Sequence, residues 1–80
     1  MTARTILLVD DDEELREALT EQLSLYEEFA VSSEASATKG IQAARNGHVD
    51  LLVMDVGLPD MDGREAVKLL RKGGFKAPII

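Results

Sequence analysis

Two four-residue runs, Ile6-Leu7-Leu8-Val9 and Leu51-Leu52-Val53-Met54, are apolar at every position, and carboxylates follow both. A strand with one wet face alternates apolar and polar side chains, whereas a strand covered on both faces reads as an unbroken apolar run. The two runs therefore predict central strands of a parallel sheet, and parallel neighbours need a crossover between them. The sequence between the runs supplies one. Leu15, Ala18, Leu19 and Leu23 recur at helical spacing behind an acidic first turn, with Asp12 as the expected N-cap, so a first helix is predicted with its leucines in the core. Phe29 to Ser33 reads as a weaker strand. Ser36 is placed to cap a second helix with Ala37, Ile41 and Ala44 inward, weakened by Gly40 and ended by Asn46-Gly47. Asp60 to Gly63 forms a turn-rich loop. Ala66, Leu69 and Leu70 then give a third helix an apolar face, Gly73-Gly74 stops it, and Pro78-Ile79-Ile80 begins a fourth strand. Strands alternating with helices predict an α/β fold with helices packed on a parallel sheet.

Eighty residues hold one small domain, residues 1–80. Without cysteine, disulfides and thiolate metal sites are excluded. No apolar run approaches the roughly 20 residues of a membrane helix. The start carries one basic residue and a short apolar run, followed at once by aspartates, unlike a secretory leader. A soluble, cytoplasmic chain is expected. With 15 acidic and 9 basic residues, a net charge of -6 disfavours direct nucleic-acid contact by this segment, because phosphate backbones require a basic face.

The chemistry lies at the strand ends. Val9 runs into Asp10 and Asp11, and Met54 into Asp55. In an open parallel sheet, ligands bind beyond the carboxyl ends of the strands where the strand order reverses. If the two runs are neighbours, three carboxylates converge there. They repel one another unless a cation or protons neutralise them. An all-oxygen site keeping several waters suits Mg²⁺, and Gly57 is placed to add a backbone carbonyl. A magnesium-bound carboxylate draws in phosphate oxygens, and an aspartate oxygen can act as nucleophile to form an acyl phosphate.

The same residues have plainer readings. Acids at a helix start serve the helix dipole, and an aspartate after a strand can be a turn residue. Asp60, Asp62 and Gly63 hint at a calcium loop, but its twelfth position falls on Leu69 where Glu is required. His48, the only histidine, reads as a solvated loop residue. Arg64, Lys68, Lys39, Arg45, Arg71, Lys72 and Lys76 read as surface charges.

Val9-Asp10-Asp11 together with Asp55-Val56-Gly57-Leu58-Pro59-Asp60-Met61-Asp62-Gly63 resembles the response-regulator receiver domain of bacterial two-component signalling. The resemblance covers Thr5 to Ile80. It implies a flavodoxin-like doubly wound parallel sheet of strand order 2-1-3-4, lacking the C-terminal α4-β5-α5 part. It implies that Asp55 is the phosphoacceptor and that Asp11, Asp55 and the Gly57 carbonyl hold Mg²⁺, with Asp10 supporting the metal. Pro59 and Gly63 would shape the loop into the third helix. The implied partner is a sensor histidine kinase or phosphotransfer protein. The family carries a Ser or Thr after strand four and a Lys ending strand five; neither falls within these 80 residues, and Lys68, Lys72 and Lys76 lie on or after the third helix. The strand-four edge would be unpaired and apolar, so an unstable or self-associating chain is expected. Two alternatives remain open on the sequence. One is a haloacid-dehalogenase-type phosphatase fragment using Asp10 and Asp12, which leaves the Asp55 motif unexplained. The other is a non-switching interaction fragment.

Overall fold

The computed structural model describes residues 3–80. Strands β1 (Arg4–Val9), β2 (Phe29–Glu34) and β3 (Leu51–Met54) alternate with helices α1 (Glu13–Ser24), α2 (Ala37–Asn46) and α3 (Gly63–Lys72). The sheet is parallel, in the order β2-β1-β3. The two apolar runs are neighbours, with Val9 level with Met54. Beyond β3, residues 78–80 add the beginning of a further parallel strand: Leu52 N–H donates to the Pro78 carbonyl at 3.0 Å and Ile80 N–H to the Leu52 carbonyl at 2.9 Å. Reading across the sheet thus gives 2-1-3 followed by the expected fourth position. β1 starts two residues earlier than the apolar run and β2 runs one residue further, because backbone pairing continues past the apolar side chains.

The sheet is covered unequally. Leu7, Val9, Leu52 and Met54 point to one face and make a single core with Ala37, Ile41 and Ala44 of α2 and Ala66 and Leu70 of α3. Gly40 explains itself here, since a Cβ at that position would lie 2.7 Å from Val9 Cγ2. The glycine that weakens α2 as a helix is what lets α2 approach β1. Ile6 and Leu8 are also buried but stand outside that core, on the opposite face of the pleat.

α1 belongs to that second face and packs mainly on β2. The expectation that its leucines are core is corrected: α1 has no buried residue, and Leu15 and Leu19 are 43% and 36% exposed. A single helix lying over the β2 side leaves part of its apolar stripe, and half-buried Leu51 and Val53 of β3, without a second helix against them. Leu69, placed on the inner face of α3, is likewise exposed because Ala66 and Leu70 already face the core one turn apart.

The ends of the helices follow local chemistry. Asp12 caps α1 by accepting from Leu15 N–H, and Ser36 caps α2 by accepting from Lys39 N–H. Asp62 caps α3, so Gly63 is the first residue of that helix, not the last of the loop. Gly74, at φ 97°, makes the left-handed turn after α3 that a side chain would resist. Among the described residues no helix is long and apolar enough to cross a membrane.

Candidate functional site

The register of β1 against β3 decides where the acids meet. With Val9 opposite Met54 and Asp55 N–H bonded to the Val9 carbonyl at 2.9 Å, the chains leave the sheet side by side. Asp10, Asp11 and Asp55 each offer a carboxylate oxygen, and these oxygens lie within 4.8 Å of one another. Asp10 and Asp55 are half-buried and Asp11 is exposed. Oxygens on one octahedral magnesium ion stand about 3.0 Å apart when adjacent and about 4.2 Å apart when opposite, from metal–oxygen distances of about 2.1 Å. Exposed or half-buried side chains within 4.8 Å of one another can close to that spacing by rotating, and the donor set is all oxygen. The residues fit a hard divalent cation.

Two of the three carboxylates, those of Asp10 and Asp55, are held by hydrogen bonds. Asp10 Oδ1 accepts from Asp12 N–H at 2.9 Å, which turns the chain into α1. Arg16, one turn into α1, donates from Nη1 to the Asp10 backbone carbonyl at 2.7 Å. Asp55 Oδ1 accepts from Gly57 N–H at 3.3 Å. Gly57 in turn bridges antiparallel to Asp62, and Gly63 N–H donates to the Val56 carbonyl at 2.9 Å. The loop from Asp55 to α3 thus folds back on itself. Leu58 buries its side chain in the core, while Pro59 beside it is exposed. Gly63 is pressed against the backbone of the site: a Cβ there would overlap the Asp55 carbonyl oxygen and sit 2.8 Å from Val56 Cα.

Residues that sequence reasoning left as turn or surface positions also take definite partners. Asp60 reaches across to the start of α2, where its carboxylate accepts from Ala37 N–H, Thr38 N–H and Thr38 Oγ1 at 2.9, 2.9 and 2.7 Å. The Thr38 hydroxyl, then the Thr38 and Ala37 amides, pull its carboxyl down to about 2. Because the folded value lies below the ordinary 3.8, the stabilisation from these bonds is complete above about pH 4 and is lost as the pH falls toward 2. Asp60 and Asp62 are both spent on helix starts, which removes what remained of a calcium loop. Asp62 is held low by the Arg64 guanidinium, which pairs with it at 3.1 Å. His48 is exposed, as expected for a loop residue, but its Nε2 lies 2.7 Å from Asp50 Oδ1, and Asp50 Oδ2 accepts from Thr5 N–H. That group lies at the opposite end of the strands. Lys76 lies there as well, in a groove with Arg45, His48 and Phe75. Asp12 accepts from Leu15 N–H, so it is occupied as a cap and not poised as an acid/base partner for Asp10.

Comparison with known proteins points in one direction. The family model described as the response regulator receiver domain matches residues 6–80. An uncharacterized transcriptional regulatory protein of Bacillus subtilis, YkoG, is 36% identical over 75 residues, covering 94% of this chain and 32% of that protein. The nitrate/nitrite response regulator NarL of Escherichia coli is 34% identical over 77 residues, covering 95% of this chain and 36% of that protein. The chain thus spans about a third of the length of these curated relatives. Among solved structures, the response regulator TrrA of Thermotoga maritima in complex with Mg²⁺-BeF superposes with a TM-score of 0.86 at 29% identity, covering 95% of this chain and 65% of that one. The same regulator has been solved in complex with the histidine kinase ThkA.

Proposed function

The chain belongs to the response regulator receiver domain family, and on that premise we propose that it accepts a phosphoryl group on Asp55 from the phosphohistidine of a sensor kinase or phosphotransfer protein, with Mg²⁺ held by Asp10, Asp11, Asp55 and the Gly57 carbonyl. The observation that carries the reading is the convergence of three carboxylates from two paired strands on one point. TrrA, similar over 95% of this chain, binds Mg²⁺-BeF and a histidine kinase, which supports the metal and the partner.

In the transfer, an Asp55 carboxylate oxygen attacks phosphorus in line, a new O–P bond forms, and the donor's P–N bond breaks with its electron pair passing to the imidazole nitrogen. Mg²⁺ held by Asp10, Asp11, Asp55 and the Gly57 carbonyl would supply positive charge against the carboxylates and the phosphoryl oxygens. The protein supplies position. The β1–β3 register sets the acids side by side, Gly57 N–H orients the Asp55 carboxylate, and Arg16 fixes the loop that carries Asp10. Pro59 and Gly63 shape the loop into α3. Residues 1–80 act as one receiver unit, a phosphoacceptor in the cytoplasm and not a turnover enzyme.

The test is incubation with a small phosphodonor, with and without Mg²⁺, followed by intact mass. One phosphoryl adduct that needs Mg²⁺ supports the reading; no adduct, or label on Asp10, overturns it. Metal alone gives a second expected result. Mg²⁺ at ten times its dissociation constant should stabilise the fold by about 1.4 kcal/mol, and a domain of this size should then gain about 6–11 °C in its thermal midpoint. Asp11→Asn should remove most of that gain, as a thermal melt with and without Mg²⁺ will show.

The sheet edge carries a further expectation. Residues 78–80 are the outer edge in the described chain, and Ile80 is 75% exposed. Two copies of the 80-residue chain are expected to pair along it. Sedimentation at micromolar protein should show a concentration-dependent species, and a constant monomer refutes the pairing.

A further inference from the structure

We propose that Asp60 is a positioning residue: by clasping the first turn of α2 it fixes the loop between Asp55 and α3, and so sets the Mg²⁺ affinity of a site it does not touch. The proposal rests on the metal site proposed above and gives a role to Asp60, which lies outside the acidic cluster and which the sequence marks only as a turn residue.

The division of labour at the start of α2 motivates it. Ser36 is the local cap and accepts only from Lys39 N–H, at 3.2 Å. The amides of Ala37 and Thr38, which have no helical partner of their own, are taken up by Asp60, 22 to 23 residues further along the chain. The Thr38 hydroxyl adds a third bond. A carboxylate accepting on both oxygens cannot rotate away without losing at least one charge-assisted bond.

The turn it grips is itself rigid. Ala37 is fully buried, and Gly40, one turn on, lies so close to Val9 that a Cβ would have no room. Val9 immediately precedes Asp10. α2 is therefore fixed to the strand that delivers Asp10 and Asp11, and Asp60 fastens to α2 the loop that follows Asp55 and carries Gly57. That loop is otherwise pinned by Leu58 and Met61 against the core, by the Gly57–Asp62 bridge and the Gly63 N–H bond to the Val56 carbonyl, and by Asp62 at the head of α3. Pro59 and Asp60 between them are exposed, and the clasp adds a tie at the tip of this stretch. Gly57, whose amide meets Asp55 and whose carbonyl is assigned to the metal, sits three residues before it.

A plain cap would add stability and nothing more; a positioning residue also changes metal affinity. The test titrates Mg²⁺ calorimetrically into the wild-type chain and into Asp60→Ala, Asp60→Asn and Thr38→Val. Asp60→Ala should weaken Mg²⁺ binding about 10-fold, the lower range for residues that orient metal ligands from outside the coordination shell. Asp60→Asn, which keeps an acceptor oxygen, should recover part of the loss. Thr38→Val, which removes one bond and leaves both amides, should shift affinity slightly in the same direction. Amide exchange at residues 57–62 should quicken in the same order. If Asp60→Ala lowers the thermal midpoint while Mg²⁺ affinity is unchanged, Asp60 is only a helix cap and the proposal fails. Should Asp60→Ala not fold, the Asn and Val variants decide by the same criterion. Absence of Mg²⁺ binding by the wild-type chain would instead bring down the site itself, and the clasp's role with it.

Discussion

Asp55→Asn is expected to fold as well as the wild type and to take up no phosphoryl group under any donor concentration. The two side chains have the same shape, and the Asn carbonyl oxygen can keep the bond from Gly57 N–H that Asp55 Oδ1 accepts at 3.3 Å. What disappears is the anionic oxygen, and with it both the nucleophile and one magnesium ligand. Intact mass after treatment with phosphodonor and Mg²⁺ should show only the unmodified chain, a complete loss beside which every other substitution is partial. Removing one of three mutually repelling carboxylates should leave the metal-free chain at least as stable as wild type, so the loss of label cannot be blamed on unfolding. Asp10→Asn separates the readings further. A phosphatase-type nucleophile at Asp10 would lose its label there, and the receiver reading predicts a slower but surviving adduct on Asp55. Asp12 already argues against the phosphatase, since its carboxylate accepts from Leu15 N–H at the head of α1.

What the sequence made legible was whatever depends on near neighbours in the chain. The unbroken apolar runs gave the central strands, and Asp12 and Ser36 marked helix starts, because a cap and the amide it serves lie three residues apart. The acidic site was readable because each strand carries its own acids and only their adjacency had to be inferred; the Val9–Met54 register supplies it. The leucines of α1 were misplaced for a physical reason. Periodicity shows that a stripe is apolar, not how much surface lies opposite it, and among the described residues α1 is the one helix over that face. Asp60 was out of reach for a different reason. Its partners are 22 and 23 residues away, and a turn aspartate looks the same whether its carboxylate faces water or a distant helix. The sequence shows Gly40 only as a propensity cost to α2, whereas its role is the space it leaves beside Val9.

Gly63→Ala and Gly57→Ala, the same change six residues apart in one loop, should give opposite results. Local propensity alone favours alanine at both. Gly63 opens α3, where alanine is better than glycine by about 0.5–1 kcal/mol. Against that, the added methyl at Gly63 would overlap the Asp55 carbonyl oxygen and come within 2.8 Å of Val56 Cα. Backbone atoms cannot swing aside as a side-chain tip can, so the strand end or the first turn of α3 must move. Overpacking of this kind costs about 1–3 kcal/mol, enough to outweigh the propensity gain and a large share of the roughly 4–12 kcal/mol that a chain of this length has in all. The displaced atoms belong to Asp55 itself, so phosphoryl uptake should fall together with stability. At Gly57 nothing lies within 4 Å of the added methyl, and the backbone there is not in the left-handed region. Alanine should be neutral or slightly stabilising, by about 0.4–1 kcal/mol, through the entropy it removes from the unfolded chain. A backbone carbonyl remains available to the metal whichever residue carries it. Denaturant melts and adduct formation measured on both variants decide the matter. If Gly63→Ala is as stable and as readily phosphorylated as wild type, α3 does not press on Asp55 as described, and the loop does not owe its path to that glycine.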